Sequence, residues 1–279
     1  MNKSPIVLTG MHRSGTTLLS RILMKNGVNL GLHKDTNEES IFFQRLNRWI
    51  MSCIGSSWDN PTTLDSISSS DLEIIERRLE KTISNNFSNS IYFGFTNIFS
   101  SNGFYQSKFK WGWKDPSNIY TAIVWKNIFP DLKIINLTRN PIDVSISLLN
   151  RQSKLKYSDG LFFADFISSF IPLLSITKGN ILSSFNISTI DSCLSLYKKY
   201  LVQMYSNNNS FKGNILNIKY EDLLNKPEKE LLKIYEFCEF RSDNIQEIVK
   251  DIDTKNLNKY DHTKYLYSKE LLDELIIDF

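Results

Sequence analysis

The stretch Ile6-Val7-Leu8-Thr9-Gly10-Met11-His12-Arg13-Ser14-Gly15-Thr16-Thr17 constrains this chain more than any other. A short apolar run ends at Gly10, a second glycine follows at Gly15, and Thr16-Thr17-Leu18-Leu19 opens a helix. Strand, loop and helix in that order make an anion-binding turn. The first N–H groups of the helix have no partner within it and carry the positive end of its dipole. The glycines let the backbone curl round an anion without Cβ clashes. The nucleotide-triphosphate pattern G-x-x-x-x-G-K-[ST] is broken at one place. Thr16 stands where its lysine belongs, and the local positive charge comes from Arg13. The turn therefore predicts phosphate binding of a kind unlike that of a triphosphate hydrolase.

Strands and helices alternate along the rest of the chain. The pattern predicts a strand over 6–9, a helix over 15–26 stopped by Asn26-Gly27, and a helix over 38–54 with apolar residues at Ile41, Phe42, Leu46, Trp49, Ile50 and Ile54. Ser70-Asp71 caps a helix over 72–84. Residues 88–109, rich in Asn, Ser and Phe with little period, read as a strand followed by a loop. Lys110-Trp111-Gly112-Trp113-Lys114 ends a strand, and Asp115-Pro116 turns into a helix over 117–128. Residues 132–137 form the clearest buried strand, followed through Thr138-Arg139-Asn140-Pro141 by a helix from near Ile142. A strand over 215–218 and a helix over 227–240 complete the alternation, and the tail after Asn256 is charged and tyrosine-rich. There is no repeat and no linker, so one α/β domain is expected over 1–279, a P-loop-like parallel β-sheet flanked by helices. Its ligands belong at the carboxyl ends of the strands.

A formal net charge of +3 offers no broad basic face for nucleic acid and suits a locally basic pocket. Cys53, Cys193 and Cys238 are scattered and odd in number, as reduced thiols of a cytoplasmic protein would be, and no metal site is expected from their spacing. The first strand is expected within a few residues of Met1, so no signal peptide is expected. Residues 161–176 are apolar but interrupted by Asp165 and Pro172, too short and polar for a membrane span. They read as a buried helix or as an apolar flap beside an acceptor.

Four loops follow the expected strands, and each carries polar groups. They are the glycine turn, Trp113-Lys114-Asp115-Pro116, the segment from Arg139 to Ser147, and Tyr220-Glu221-Asp222-Leu223. In the third, Ser147 sits about two helical turns beyond Arg139. A guanidinium from a loop and a hydroxyl from a helix face can hold one phosphate between them. Asp143 on the same helix face reads as a first-turn acid favoured by the dipole, not as a catalyst.

In combination these segments resemble the sulfotransferases that use 3′-phosphoadenosine 5′-phosphosulfate (PAPS). Their 5′-phosphosulfate loop is similar to residues 10–17, their 3′-phosphate motif to Arg139 with Ser147, and their Tyr-Glu-Asp-Leu segment to Tyr220 and the residues after it. The Lys114-Asp115-Pro116 turn is similar to one in tyrosylprotein sulfotransferases and bacterial relatives. The resemblance implies donor contacts from His12, Arg13, Ser14, Gly15, Thr16, Thr17, Arg139, Ser147 and Tyr220, the last near the adenine. It implies Arg13 and Lys114 as cations offsetting charge on the departing phosphate, and Glu39, or failing it Glu38, as the base that takes the acceptor's proton. No metal is implied. The acceptor implied is a hydroxyl, preferably of a carbohydrate or glycolipid.

Other readings stand beside these. His12 either touches the donor or packs the loop. His262 is either solvated or carried by a tail that closes over the donor. Trp111 and Trp113 either face the core or form a sugar-stacking platform. A P-loop kinase for a small metabolite and a catalytically silent nucleotide-binding protein are the alternative functions. Neither the acceptor nor the oligomeric state is legible.

Overall fold

Strand residues Ile6 and Leu8 point to one face of the sheet and Val7 to the other, as the two-residue strand period requires, and all three are buried. The computed structural model describes residues 4–64, 67–94, 103–158, 184, 186–241, 244–257 and 259–275. The expected segment 161–176 lies outside them. Four strands, β1 (Ile6–Gly10), β2 (Gly112–Lys114), β3 (Lys133–Thr138) and β4 (Ile215–Lys219), form one sheet in the order β2-β1-β3-β4. Every pairing is parallel, with Val7 opposite Trp113 on one side and Ile134 on the other. Strands buried on both faces need apolar side chains at successive positions, which is why 132–137 is so legible in the sequence.

On one face, Ile6, Leu8, Ile135 and Leu137 pack against α1 (Thr16–Lys25), α8 (Tyr220–Asn225), α9 (Pro227–Cys238) and α10 (Ile245–Lys250). On the other, α2 (Ile41–Cys53), α3 (Ser69–Ile83), α4 (Asn86–Phe93) and α5 (Asn118–Ile128) enclose an aromatic cluster. There α6 (Pro141–Ser158) and α7 (Ile190–Ser210) pack with the tail helix α11 (Lys269–Asp273). The result is a single α/β domain with helices on both faces.

Three elements differ from the sequence reading, each for a local reason. Residues 86–93 are helical, not extended: Asn85 accepts the Phe87 N–H at 2.8 Å as a cap. Polar Asn89 and Ser90 share the buried side with Tyr92 and Phe93, so the apolar period is masked. The α3 cap is Ser68, whose hydroxyl accepts the Asp71 N–H at 3.1 Å. Helix α2 begins at Ile41, because Asp35 Oδ1 accepts the N–H groups of Asn37 and Glu39 at 2.8 and 2.9 Å. That side chain offers the backbone an alternative to the helix, and Glu38 sits in the left-handed region at φ 63°.

Trp111 and Trp113 belong wholly to the core. Trp113 stacks on Phe43 at 3.8 Å between ring centroids, so neither indole presents a face to a sugar. Between them, a Cβ on Gly112 would fall 1.7 Å from the Ile6 carbonyl oxygen, which excludes any larger residue from that strand position.

Behind the strand ends, Asn47 of α2 is a buried hub. Its Nδ2 donates to Asp115 Oδ2 and Asn118 Oδ1, both at 2.8 Å, and its Oδ1 accepts from Thr121 Oγ1 at 2.9 Å and Trp125 Nε1 at 2.7 Å. Leucine at this position leaves buried polar groups unmatched. Asn47→Leu is expected to lower unfolding free energy by about 3 kcal/mol, read as a fall in the urea midpoint without a change in slope.

Candidate active site

All four strand ends open into one cleft of about 470 Å³. It is lined by His12, Arg13, Gly15, Thr16 and Thr17 from the first turn, Glu39 and Lys114, Arg139 and Ser147, and Tyr220. Ser14 is buried beneath the turn with its hydroxyl unpartnered, and Glu38 stands outside the lining.

The turn has the geometry of an anion cradle. Arg13 and Gly15 are left-handed at φ 72° and 96°. A Cβ on Gly15 would lie 2.4 Å from the Tyr220 ring, so glycine is needed for both its φ and its closeness. No acid occupies the first turn of α1, leaving the positive end of that helix without a side-chain anion. Thr17 Oγ1 donates to the Asn37 carbonyl at 3.2 Å and ties the turn to the loop before α2.

Arg13 Nε donates to Ser147 Oγ at 3.0 Å, joining two segments far apart in the chain. Arg139 donates through Nη2 to Asp143 Oδ2 at 2.9 Å, and its guanidinium lies 4.6 Å from the Tyr220 ring centroid. The Tyr197 hydroxyl donates to the Arg139 carbonyl at 2.7 Å, and Asn140 caps α6 by accepting from Ile142 N and Asp143 N. Burial raises the Tyr220 phenol pKa, against the opposing pull of Arg139. The second oxygen of Asp143 meets His262 Nε2 at 2.7 Å, so His262 is bound to the clamp rather than solvated.

Lys114 and Glu39 form a buried ion pair at 3.1 Å between Nζ and Oε1. Lys114 also donates to the Asn37 carbonyl at 2.6 Å, and Gln44 Nε2 donates to Glu39 Oε2 at 2.8 Å. A buried pair of this kind keeps a fixed geometry because separating its members leaves an uncompensated charge. Next to Lys114, burial and then the charge of Glu39 push the Asp115 carboxyl well above the ordinary range.

His12 lies against Trp58 in an edge-on contact at 4.8 Å, with Nε2 sealed from solvent and unpartnered. Burial first, then Arg151, Lys114, Arg13 and Arg48, lower its pKa from 6.5 to about 3. Its neutral imidazole is part of the cleft lining.

The cleft also contains residues the sequence reading missed. Arg151 lies one turn beyond Ser147 on α6, a helical spacing that points to it. Lys259 and Tyr260 come from the tail and Arg21 and Lys25 from α1, with no motif to mark them. Burial and then the neighbouring Arg151 push the Arg13 guanidinium pKa down. Among the described residues, seven basic side chains line the cleft against the acids Glu39, Asp251 and Asp253. Lys25 pairs with Asp251, Lys114 with Glu39 and Arg139 with Asp143, while Arg13 and Arg151 have no carboxylate partner there. Among the described residues no His, Cys, Asp and Glu side chains gather into a potential metal site, and no helix is long and apolar enough to cross a membrane.

The sequence matches the family model described as sulfotransferase domain over residues 3–274. No curated protein matches. Similar solved structures include a sulfotransferase from Alicyclobacillus acidocaldarius, 14% identical, covering 99% of this chain and 90% of that one, TM-score 0.48. Sulfotransferase STF9 from Mycobacterium avium is 13% identical, covering 98% of this chain and 75% of that one, TM-score 0.47. Mouse sulfotransferase SULT7A1 complexed with PAP is 13% identical, covering 95% of this chain and 71% of that one, TM-score 0.41.

A histidine whose folded-state pKa lies below its free value binds its proton more readily in the unfolded chain. Stability is then fully present above pH 6.5 and is lost as pH falls towards 3. His12→Asn is expected to flatten the pH dependence of the urea midpoint across that window while leaving the slope above it unchanged.

Proposed function

The chain belongs to the sulfotransferase domain family, whose donor is PAPS, and from that premise we propose that its cleft transfers the sulfuryl group to a carbohydrate or glycolipid hydroxyl. The enzyme is a PAPS-dependent transferase, and we place its single domain over 1–279 and the protein in the cytoplasm. The free thiols of Cys53, Cys193 and Cys238 support the location.

One convergence carries the site assignment. The opening turn and the Arg139–Ser147 segment, more than a hundred residues apart, line the same cleft and are joined by the Arg13–Ser147 hydrogen bond. PAPS carries anions at both ends, and its 3′-phosphate alone brings about 1.5 to 2 negative charges at neutral pH. A cleft in which Arg13 and Arg151 have no carboxylate partner among the described residues suits that charge. The phosphosulfate belongs over the N–H groups of Gly15, Thr16 and Thr17, and the 3′-phosphate beside Arg139 and Ser147. Tyr220, already under the Arg139 guanidinium, bounds the adenine side, with Ile22, Ile248 and Ile252 supplying apolar surface.

In the reaction the acceptor oxygen forms a bond to sulfur as the bond from sulfur to the 5′-phosphate oxygen breaks. The acceptor's proton passes to the Glu39 carboxylate, and the electron pair stays with adenosine 3′,5′-bisphosphate (PAP). Arg13 and Lys114 offset the charge that develops on the departing phosphate oxygen. Lys114 has two hydrogens committed, to Asn37 and Glu39, which leaves a third for that oxygen. Gln44 and Lys114 together hold Glu39 in place for proton transfer. His12 adds an uncharged polar contact beside Arg13. No metal enters the scheme, because the cations that offset charge are side chains.

Two measurements test this. In titration calorimetry PAP binds the wild type far more tightly than ATP does, and Arg139→Ala weakens PAP by about a hundredfold, as loss of a charge-assisted contact implies; equal affinity for PAP and ATP refutes the donor site. Glu39→Gln leaves PAP affinity within about threefold and lowers turnover of a carbohydrate acceptor by at least a hundredfold, on the order expected for loss of a general base; retained turnover removes Glu39 from the role.

A further inference from the structure

Asp143 was expected as a helix-dipole acid and His262 as a solvated or tail residue, yet the fold puts them in contact. Asp143 is buried, and its two oxygens serve two different parts of the chain. Oδ2 accepts from Arg139 Nη2 at 2.9 Å, and Oδ1 meets His262 Nε2 at 2.7 Å. His262 opens the turn His262–Lys264, which Asp261 holds by accepting from Thr263 N at 3.1 Å and Thr263 Oγ1 at 2.6 Å. Immediately before this turn, Lys259 and Tyr260 line the cleft that Arg139 also lines. Beyond it the tail is fastened to α7, where Ser268 N donates to Asp191 Oδ1 at 2.8 Å and Lys198 pairs with Glu274 at 2.7 Å.

We infer that His262 is a positioning residue for the donor's 3′-phosphate: it grips Asp143, which orients the Arg139 guanidinium, and it holds Lys259 and Tyr260 against the cleft. The inference rests on the donor-site reading above. Its logic is one of bond directions. A carboxylate with one donor can rotate about its χ2 bond, whereas one gripped on both oxygens cannot. The guanidinium on the other side of Asp143 then keeps one orientation towards an incoming phosphate, and the entropy of ordering it is met before the nucleotide arrives. The same bond couples the tail to the clamp. Whatever orders Arg139 also favours the seated tail, so nucleotide binding and tail seating reinforce each other.

The experiment compares PAP with adenosine 5′-monophosphate, which lacks the 3′-phosphate, by titration calorimetry. His262→Ala is expected to weaken PAP by about tenfold and leave the monophosphate within about twofold. His262→Gln keeps an N–H near the Nε2 position and is expected to restore PAP affinity to within about threefold of wild type. In an Asp143→Ala background, His262→Ala is expected to have no further effect, since the bond it removes is already broken. PAP is also expected to slow tryptic cleavage at Lys259 in the wild type and not in His262→Ala. Equal weakening of both nucleotides, failure of glutamine to rescue, or an undiminished effect in the Asp143→Ala background overturns the relay. Loss of PAP discrimination already in the wild type, or an Arg139→Ala variant that binds PAP normally, overturns the donor-site reading instead.

Discussion

Positive charge gathered at one edge of a parallel sheet, with fewer carboxylates among the described residues than would balance it, is the constraint that the rest of this structure serves. Parallel strands deliver all their carboxyl ends to the same side, so the loops after β1, β2, β3 and β4 must share one space. Lys114 and Arg139 each meet a carboxylate, while among the described residues Arg13 meets the neutral hydroxyl of Ser147 and no carboxylate. Like charges in a partly dry cleft repel strongly, and an anion bound there would offset that repulsion. The helix N-terminus without an acid and the neutral His12 act in the same sense.

Holding such a cleft open takes a stiff frame behind it. The aromatic cluster of Phe43, Trp111, Trp113 and Trp125 packs against the back of β2, and Asn47 ties α2 to Asp115 and α5. Gln44 of α2 and Lys114 of β2, which both grip Glu39, are thereby held by one packed frame. This explains why two tryptophans beside a cleft face the core: the short strand β2 has three residues, and its neighbours must anchor it by burial.

Much of the fold was legible because burial on both faces of a parallel strand leaves an unmistakable apolar run, as over 132–137. The first turn was legible because two glycines and a run of small hydroxyl residues have few other uses at a strand end. Other features left no such trace. The α4 helix hides because Asn89 and Ser90 take buried positions, and α2 starts later than its apolar pattern suggests because Asp35 captures the backbone N–H groups two and four residues on. Arg151 was within reach of helical spacing from Ser147, whereas Lys259, Tyr260 and His262 arrive from a tail whose sequence has no period to read.

By itself the sequence determined an α/β chain with a glycine turn after its first strand, no lysine at the triphosphate position, and Arg139 and Ser147 about two helical turns apart, because these are matters of local spacing and backbone permission. Tertiary structure alone decided which charges are matched. Glu39 meets Lys114, Asp143 meets both Arg139 and His262, and Arg13 meets a hydroxyl, across separations along the chain that no local rule spans. The physical reason is that electrostatic pairing depends on distance through space, and that distance exists only once the four strand ends have been brought to one edge.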